Sequence, residues 1–342
     1  MSKDAGDFGF LKRLAAGERL TSEESAAAFG AMMTGGVSEA RMAAFLTALA
    51  LRGPSVAELT GAARAMRQAM TPVEAPPGAI DVCGTGGDGA GTLNVSTAAA
   101  FVVAGCGVPV AKHGNRAMSS RTGAADVLEA LGVPIDHDAA AAKKHLLKSG
   151  FAFLFAPAYH PAMKYVAPVR RELGFRTVFN LLGPICNPAR VRRQLLGIFS
   201  LEWLEPVAHV LNELGTERAW VVHGSDGLDE LTTTGVTRVA VLEQGQVSVR
   251  EIKPEDAGLR RTTLAALKGG TAMENARAIR ELFDGARTPF RDIVLLNAGA
   301  ALVVAGCAET VAEGVGLAAE AIDKGRAASA LEKAGVGERA RA

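Results

Sequence analysis

The chain has 342 residues, of which 49% are hydrophobic and 21% are charged, as in globular proteins of one large or two ordinary domains. Its 37 basic and 36 acidic side chains leave a net charge of +1, which argues against a dedicated nucleic-acid-binding protein, because such proteins carry a basic excess. No apolar run reaches the roughly 18 residues of a membrane helix, and residues 1–9 lack a secretory signal. We therefore expect a cytoplasmic protein without a membrane partner.

The first seventy residues are predicted to be helical, because apolar side chains recur three and four positions apart, as in 40–51. Thr21, followed by Glu23 and Glu24, is typical of a helix N-terminus. Three prolines between residues 72 and 77 then fix an extended backbone, which indicates a linker. The pattern predicts a small all-helical N-terminal domain at 1–73 and a large domain at 74–342.

Beyond the linker, short apolar segments alternate with Gly-rich turns and Ala-rich helices. This alternation predicts an α/β domain with a mostly parallel central sheet. The predicted strands are 79–83, 108–112, 151–155, 219–223 and 238–242, and the predicted helices are 96–104, 124–131, 139–147, 201–214 and 272–282.

A glycine-rich segment follows the first predicted strand of the large domain. Five of the eight residues from Gly84 to Gly91 are glycine, and Asn94 to Thr97 then lead into a helix. Glycines let backbone N–H groups approach an anion closely, and a helix N-terminus offers free donors. The segment matches neither the Walker nor the Rossmann pattern. It predicts a phosphate site, with a tight turn that packs a helix on the sheet as the alternative.

A second donor-rich loop, residues 112–120, follows the next predicted strand and combines Lys112 and Arg116 with amide and hydroxyl groups. Alone, such a loop is commonly a solvated surface. Because parallel strands deliver their ligand-binding loops at their carboxyl ends, we expect both loops to meet in one crevice and to bind an anion together.

The segment 223–230 ends in two adjacent carboxylates, Asp229 and Glu230. Mg²⁺ prefers oxygen ligands and is commonly held by one or two carboxylates together with substrate phosphates. The pair therefore predicts a magnesium site at the rim of the phosphate crevice. The alternative is that the two acids begin a helix or turn.

A basic segment at 160–176 is predicted to be largely helical. An arginine fork binds a carboxylate through two parallel hydrogen bonds, so one of its arginines could hold an acidic substrate, although the residues do not show which one. A solvated basic face is the alternative. Residues 180–188 look like a turn-rich hinge, and the four cysteines carry no metal or catalytic signature, which indicates free buried thiols.

Together these segments resemble the anthranilate phosphoribosyltransferase family. The resemblance rests on ordered motifs that cover most of the chain. They are G-T-G-G-D at 84–88, N-x-S-T at 94–97, K-H-G-N-R-x-x-S-S at 112–120, A-D-V-L-E-A-L-G at 125–132, H-P-A-M-K at 160–164, R-T-x-F-N-x-L-G-P-x-x-N-P at 176–188 and H-G-x-D-G-L-D-E at 223–230.

The resemblance implies Mg²⁺-dependent transfer of the phosphoribosyl group from phosphoribosyl diphosphate (PRPP) to the amine of anthranilate, in tryptophan biosynthesis. It implies the nucleoside phosphorylase/phosphoribosyltransferase-like fold, with part of about 161–186 folding back onto the helical domain, and a homodimer formed through that domain. The alternatives are a pyrimidine nucleoside phosphorylase-like enzyme and a non-catalytic nucleic-acid-binding paralogue. The balanced charge argues against the second of these.

The resemblance also implies roles for particular residues. PRPP would be held by Gly84, Gly87, Asp88, Thr92, Asn94, Val95, Ser96, Thr97, Lys112, His113, Gly114, Asn115, Arg116, Ala117, Met118, Ser119, Ser120 and Ala124. Anthranilate would meet Gly84, Asn115, His160 and Arg170, and magnesium would be held by Ser96, Asp229 and Glu230. The catalytic set would be His113, Arg170, Asp229 and Glu230.

Overall fold

The structure, a computed structural model, describes residues 9–117 and 122–335. It opens with four α-helices, which are α1 Phe10–Ala15, α2 Ser22–Met33, α3 Glu39–Arg52 and α4 Val56–Ala69. The predicted helix start at Thr21 is confirmed, because Thr21 Oγ1 accepts from Glu24 N while the Glu24 carboxylate accepts from Thr21 N. Such reciprocal caps satisfy donors that a helix N-terminus leaves free.

An extended segment without helix or strand joins these helices to the sheet, as the prolines predict. Thr71 N donates to Tyr159 O, and Val73 N donates to Pro188 O, so the segment is tied to the body of the protein. The elements that follow, up to the centre of the sheet, are β1 Ile80–Gly84, α5 Val95–Gly105, β2 Val110–Gly114, α6 Ala124–Leu131, α7 Ala139–Ser149, β3 Phe151–Phe155, α8 Ala156–Tyr159, α9 Ala167–Leu173, α10 Phe179–Ile185 and β4 Arg193–Gly197.

The rest of the chain completes the sheet and adds a helical layer. Its elements are α11 Leu204–Glu213, β5 Arg218–Gly224, β6 Thr237–Glu243, β7 Gln246–Ile252, α12 Ala272–Phe283, α13 Pro289–Ala305, α14 Val311–Asp323 and α15 Arg326–Gly335. Short 3₁₀ turns lie at Pro161–Tyr165, Leu201–Trp203, Pro254–Ala257 and Leu264–Leu267.

Within the residues that the structure describes, seven strands form one sheet in the order β3-β2-β1-β4-β5-β6-β7. The first five in this order are parallel, and β6 and β7 add an antiparallel hairpin at one edge. The predicted mostly parallel sheet is thus confirmed. The chain runs outward from β1 to β3, then returns to place β4 on the other side of β1. Open α/β sheets form their ligand crevices at such a reversal of strand order.

Apolar cores cover both faces of this sheet. On one face, α5 and the buried length of α13 pack with α12, α14 and α15. On the other, α11 and α10 pack together with α2 and α4 of the N-terminal helices. Among the described residues, no helix is both long and apolar enough to cross a bilayer.

The segment 161–185 packs against the N-terminal helices, as the rings of Phe29 and Phe179 meet edge to face at 5.6 Å between centroids. The turn-rich hinge predicted at 180–188 is wrong in its first part, because α10 occupies 179–185 with Pro184 in its last turn. A proline so close to a helix end disrupts few hydrogen bonds. The domain division at residue 73 stays a prediction.

The four cysteines are free thiols. Cys83 and Cys186 are buried, Cys106 is partly buried and Cys307 is exposed. The expectation of buried thiols is therefore wrong for Cys307, which follows the glycine that ends α13 and lies at the surface.

Candidate active site

The crevice opens where β1 and β4 end side by side, at Gly84 and Gly197, which are register partners. Asp229 lies directly on these two glycines, with its side chain next to Gly84 and its backbone next to Gly197. A Cβ atom on Gly84 would lie 2.5 Å from Asp229 Oδ2, and one on Gly197 would overlap the carbonyl oxygen of Asp229. Both positions therefore need glycine, because a side chain there would displace the segment 223–230 that carries Asp229 and Glu230, here called the acidic segment.

The glycine-rich loop after β1 has the left-handed backbone that only glycine adopts without strain, at Gly86 (φ +67°) and Gly87 (φ +76°). Gly86 N donates to Asp229 Oδ2 at 2.6 Å. At the other end of the loop, Leu93 N donates to Leu267 O, which fixes the loop to the segment that precedes α12. The loop thus presents backbone amides toward the acidic segment.

Helix α5 begins at the end of this loop, with Asn94 as its N-cap residue. Ser96 N donates to Glu230 Oε1 at 3.2 Å, so a carboxylate lies at the helix N-terminus, where donors and the helix dipole favour negative charge. Val95 and Thr97 are buried. The predicted helix start between Asn94 and Thr97 is confirmed.

Asp229 and Glu230 form an acidic pair on a loop without helix or strand. Burial, followed by the charge of Asp88, raises the pKa of Asp229 to about 7. Burial and then the charge of Asp229 raise the pKa of Glu230 well above its usual range. Asp229 is buried and Glu230 is partly buried. Adjacent like charges in such a place are costly unless a cation neutralises them, so the pair fits a divalent cation.

Across residues 9–117 and 122–335, no three His, Cys, Asp or Glu side chains form a metal cage. A cation bound by Asp229 and Glu230 would therefore take its remaining ligands from Ser96, water or a substrate. This is the usual way in which proteins hold Mg²⁺ beside a phosphate group.

Lys112 extends from β2 into the interior, beneath the N-terminus of α5. Its ammonium group donates to Val82 O at 2.5 Å and to Ser96 Oγ at 3.2 Å, and its side chain is 1% exposed. Burial raises the pKa values of Asp81 and Glu230, and the charge of Lys112 partly opposes that rise. Lys112 therefore acts as a buried counter-charge below the crevice.

The second loop continues from Gly114, whose lack of a side chain accommodates the ring of Phe153. Arg116 is turned toward α6, where it pairs with Asp126 at 2.9 Å and Glu129 at 2.6 Å. The other described residues assigned to PRPP here lie at the strand end or at the start of α6; they are Asn115, Ala117 and Ala124. Met118, Ser119 and Ser120 lie outside the described residues.

His113 and His160 form a buried pair with ring centroids 5.1 Å apart. Burial and the nearby His160 lower the pKa of His113 to about 3, and burial lowers the pKa of His160 to about 4. Both imidazoles are therefore neutral at pH 7. Within the part of the chain that the structure describes, neither Nε2 atom has a hydrogen-bond partner.

Arg170 lies on α9 with its guanidinium 5.3 Å from the centroid of the Phe179 ring. Burial lowers its pKa, and no carboxylate of the described residues pairs with it. The neighbouring Arg171 is exposed. Of these two arginines, Arg170 is thus the one placed to receive an acidic ligand.

Two residues fix the site in ways that the sequence does not predict: Asn187 had no assigned role, and Arg176 was only one of the arginines that could hold an acidic substrate. Asn187 Nδ2 donates to Asp81 Oδ2 at 2.7 Å and to Ala111 O at 2.8 Å, which joins β1 to β2. Arg176 donates to Gly87 O and stacks on the ring of Phe199. A polar residue inside an apolar or turn segment is the only sequence signal for such contacts, and it does not identify the partner.

Two models of the glycosyl transferase family match the helical bundle and the α/β domain that follows it. Its α/β-domain model matches residues 76–328, and its helical-bundle model matches residues 9–70. The anthranilate phosphoribosyltransferase of Chelativorans sp. (strain BNC1) is 56% identical over 94% of this chain and 95% of its own length.

Solved structures agree. The anthranilate phosphoribosyltransferase of Thermus thermophilus superposes with a TM-score of 0.90 at 47% identity, covering 95% of this chain and 98% of that one. The Saccharomyces cerevisiae enzyme, solved in complex with PRPP and Mg, gives 0.88 at 28% identity and 97% of both chains. The chain belongs to the anthranilate phosphoribosyltransferase family.

Proposed function

We propose that this protein catalyses the Mg²⁺-dependent transfer of the phosphoribosyl group from PRPP to the amine of anthranilate, which gives N-(5-phosphoribosyl)anthranilate and diphosphate in tryptophan biosynthesis. The observation that carries the proposal is the position of the acidic pair, of which Asp229 is buried and Glu230 partly buried, against both the glycine-rich loop and the N-terminus of α5. That arrangement suits a substrate with several phosphate groups and a bound cation. The yeast relative bound to PRPP and Mg supports it.

The two loops at the ends of β1 and β2 would hold PRPP. Backbone amides of the glycine-rich loop and the first turn of α5 would meet its phosphate oxygens. The side chain of Arg116, now paired with acids of α6, would exchange one of these partners for phosphate. The proposed PRPP residues are those given by the family resemblance, from Gly84 to Ala124.

Magnesium would be held by Asp229, Glu230 and Ser96. When bound, it supplies positive charge beside the departing diphosphate, which is where negative charge grows in the transition state. The protein's own part is to hold the two carboxylates close together and to keep Lys112 below them as a fixed cation.

Anthranilate would be held by Arg170, with Asn115, Gly84 and His160 around it. The guanidinium would bind the carboxylate of anthranilate, since it has no ion-pair partner among the described acids. The neutral rings of His113 and His160 would line the path by which anthranilate enters the crevice. Neutral imidazoles suit an uncharged aromatic amine, because they bring no competing positive charge.

In the reaction, the bond from ribose C1 to the diphosphate oxygen breaks and a bond from C1 to the amine nitrogen forms. The anthranilate amine is uncharged at pH 7 and attacks with its lone pair, and it then loses one proton. Positioning and electrostatic stabilisation would supply most of the rate enhancement, so a strong general base is not required.

We further propose that the protein works as a homodimer through its helical domain of residues 1–73, and that it acts in the cytoplasm. Leu51 at the end of α3 is 86% exposed, which supports a subunit contact there. Sedimentation analysis would test this, because Leu51→Glu should shift the protein to monomer. The proposed partners are the two small substrates alone, without nucleic acid or membrane.

The alternative functions are less well supported. A pyrimidine nucleoside phosphorylase-like enzyme would bind inorganic phosphate and a nucleoside, and would not need the acidic pair. A non-catalytic nucleic-acid-binding paralogue would show a basic excess, whereas the chain carries a net charge of +1. The relatives named above are anthranilate phosphoribosyltransferases.

The test is the loss of anthranilate fluorescence when purified protein is mixed with PRPP and Mg²⁺, with each component omitted in turn. The expected decay requires all three components. The double variant Asp229→Ala with Glu230→Ala should keep its circular dichroism spectrum and lose turnover. Decay without PRPP, or full activity of the double variant, would contradict the proposal.

A further inference from the structure

Helix α13 is apolar and buried along nearly its whole length, yet it carries Asn297 at its centre, with 0% of the residue exposed. A carboxamide in such surroundings costs free energy unless its polar atoms are hydrogen-bonded. Asn297 Nδ2 donates to Ile293 O of its own helix at 2.9 Å. Its other two hydrogen bonds leave the helix and go to a single residue.

That residue is Leu231, which directly follows Glu230. Leu231 N donates to Asn297 Oδ1 at 2.9 Å, and Asn297 Nδ2 donates to Leu231 O at 2.8 Å. One side chain thus bonds both backbone groups of one residue, as a neighbouring strand would do. Leu231 lies on a loop without helix or strand and is fully buried, so the carboxamide supplies partners that this buried backbone needs.

The opposite side of the acidic segment is also fixed, because Asp229 packs with its side chain against Gly84 and with its backbone against Gly197, at the ends of β1 and β4. The acidic pair is therefore held between the strand ends and Asn297. Since Leu231 is one peptide away from Glu230, a shift of its backbone moves that carboxylate relative to Ser96 N, which it contacts at 3.2 Å.

We propose that Asn297 is a positioning residue for the cation site, which it serves by fixing the Leu231 backbone and, through it, the Glu230 and Asp229 carboxylates. Asn297 itself touches neither substrate nor metal. This inference rests on the proposed function, because it assumes that the acidic pair binds a divalent cation together with PRPP.

The test uses Asn297→Ala and follows binding as well as activity. Free Mn²⁺, a spectroscopic substitute for Mg²⁺, is measured by electron paramagnetic resonance with PRPP present. Removing a residue that orients metal ligands typically weakens metal binding 10- to 100-fold, so we expect the Mn²⁺ dissociation constant to rise at least about tenfold. The KM for anthranilate should stay within about twofold, because Arg170 is not disturbed.

A matched control is Val304→Ala, seven residues further along the same buried helix. This substitution also removes buried side-chain atoms from α13. The side chain of Val304 has no polar group, however, so it makes no hydrogen bond to the acidic segment. Both variants should melt at a lower temperature than the wild type. Only Asn297→Ala should weaken Mn²⁺ binding, which separates positioning from general loss of stability.

The outcomes are distinguishable. If the wild-type protein binds no Mn²⁺ in the presence of PRPP, the proposed function fails. If the wild type binds Mn²⁺ and folded Asn297→Ala binds it equally well, the positioning role fails. If Asn297→Ala does not fold, amide hydrogen exchange of the wild type tests the inference instead. The Leu231 amide, which donates to Asn297 Oδ1, should then exchange as slowly as amides of the core. Exchange as fast as that of the exposed turns would overturn the inference.

Discussion

The buried ammonium of Lys112 donates a hydrogen bond to the hydroxyl oxygen of Ser96 over 3.2 Å. This contact links the end of β2 to the first turn of α5, the part of the crevice where we place phosphate and metal. Because this lysine is only 1% exposed, its charge is fixed at the floor of the site.

We predict that Lys112→Met lowers kcat/KM for PRPP by about 100-fold or more, because a fixed cation next to developing negative charge is lost. The control is Lys268→Met. Lys268 donates a hydrogen bond to Ala90 O in the glycine-rich loop of the site, but its side chain is exposed. Steady-state kinetics should show a change of at most a few-fold in the control. Equal effects of the two substitutions would contradict the role of Lys112.

Gly197 gives the second prediction. An added Cβ would overlap the Asp229 carbonyl oxygen, so Gly197→Ala must displace the acidic segment. We expect activity to fall by about 100-fold or more. Gly316→Ala is the control, because a Cβ there meets nothing within 4 Å in helix α14, and it should stabilise the protein by about 0.5–1 kcal/mol. Normal activity of Gly197→Ala at saturating Mg²⁺ would contradict this account.

Much of the sheet could be predicted from local patterns. The apolar run at 151–155 forms β3 with the predicted bounds. The observed bounds of β1, β2, β5 and β6 differ by at most two residues from the strands that their apolar runs predict. The sequence did not predict β4, because Leu195 and Leu196 are the only large apolar residues among its five positions. Gln194, which is also buried, donates to Pro184 O. The sequence did not predict β7 either, since most of that edge strand is exposed and polar.

The site could be predicted only as far as residue types reveal chemistry. A glycine-rich turn suggests phosphate binding and a pair of acids suggests metal binding. Gly84 and Asp229 could therefore be proposed as site residues from the sequence. The contact between Asn297 and Leu231 joins residues 66 positions apart, and that between Asn187 and Asp81 joins residues 106 positions apart. No local periodicity reports such pairings, because they arise only when strands and helices pack.

Arg170 gives the third prediction. Arg170→Ala should raise the KM for anthranilate by about 10- to 100-fold, because the loss of a hydrogen-bonded carboxylate contact costs about 1.5–3 kcal/mol. The KM for PRPP should change far less. Arg171→Ala is the matched control, since Arg171 is the adjacent but exposed arginine. Equal increases in both KM values for Arg170→Ala would contradict the assignment.

The fourth prediction concerns the pH dependence of stability and rests on Asp81, a fully buried residue of β1. Burial raises its pKa from 3.8 to about 6, although Lys112 and hydrogen bonds from Asn187 and His113 N oppose the shift. A carboxyl group with a raised folded-state pKa favours folding most below its unfolded pKa. Its contribution is lost as the pH rises through the folded value.

The measurement compares Asp81→Asn with the wild type by urea unfolding at about pH 4.5 and about pH 7.5. The variant should be less stable at the lower pH, because a carboxamide cannot accept from both Asn187 Nδ2 and His113 N. Between the two pH values, wild-type stability should fall by about 2 kcal/mol relative to the variant. A difference that is the same at both pH values would mean that Asp81 is already ionised at pH 4.5, so that Lys112 and the hydrogen bonds outweigh burial.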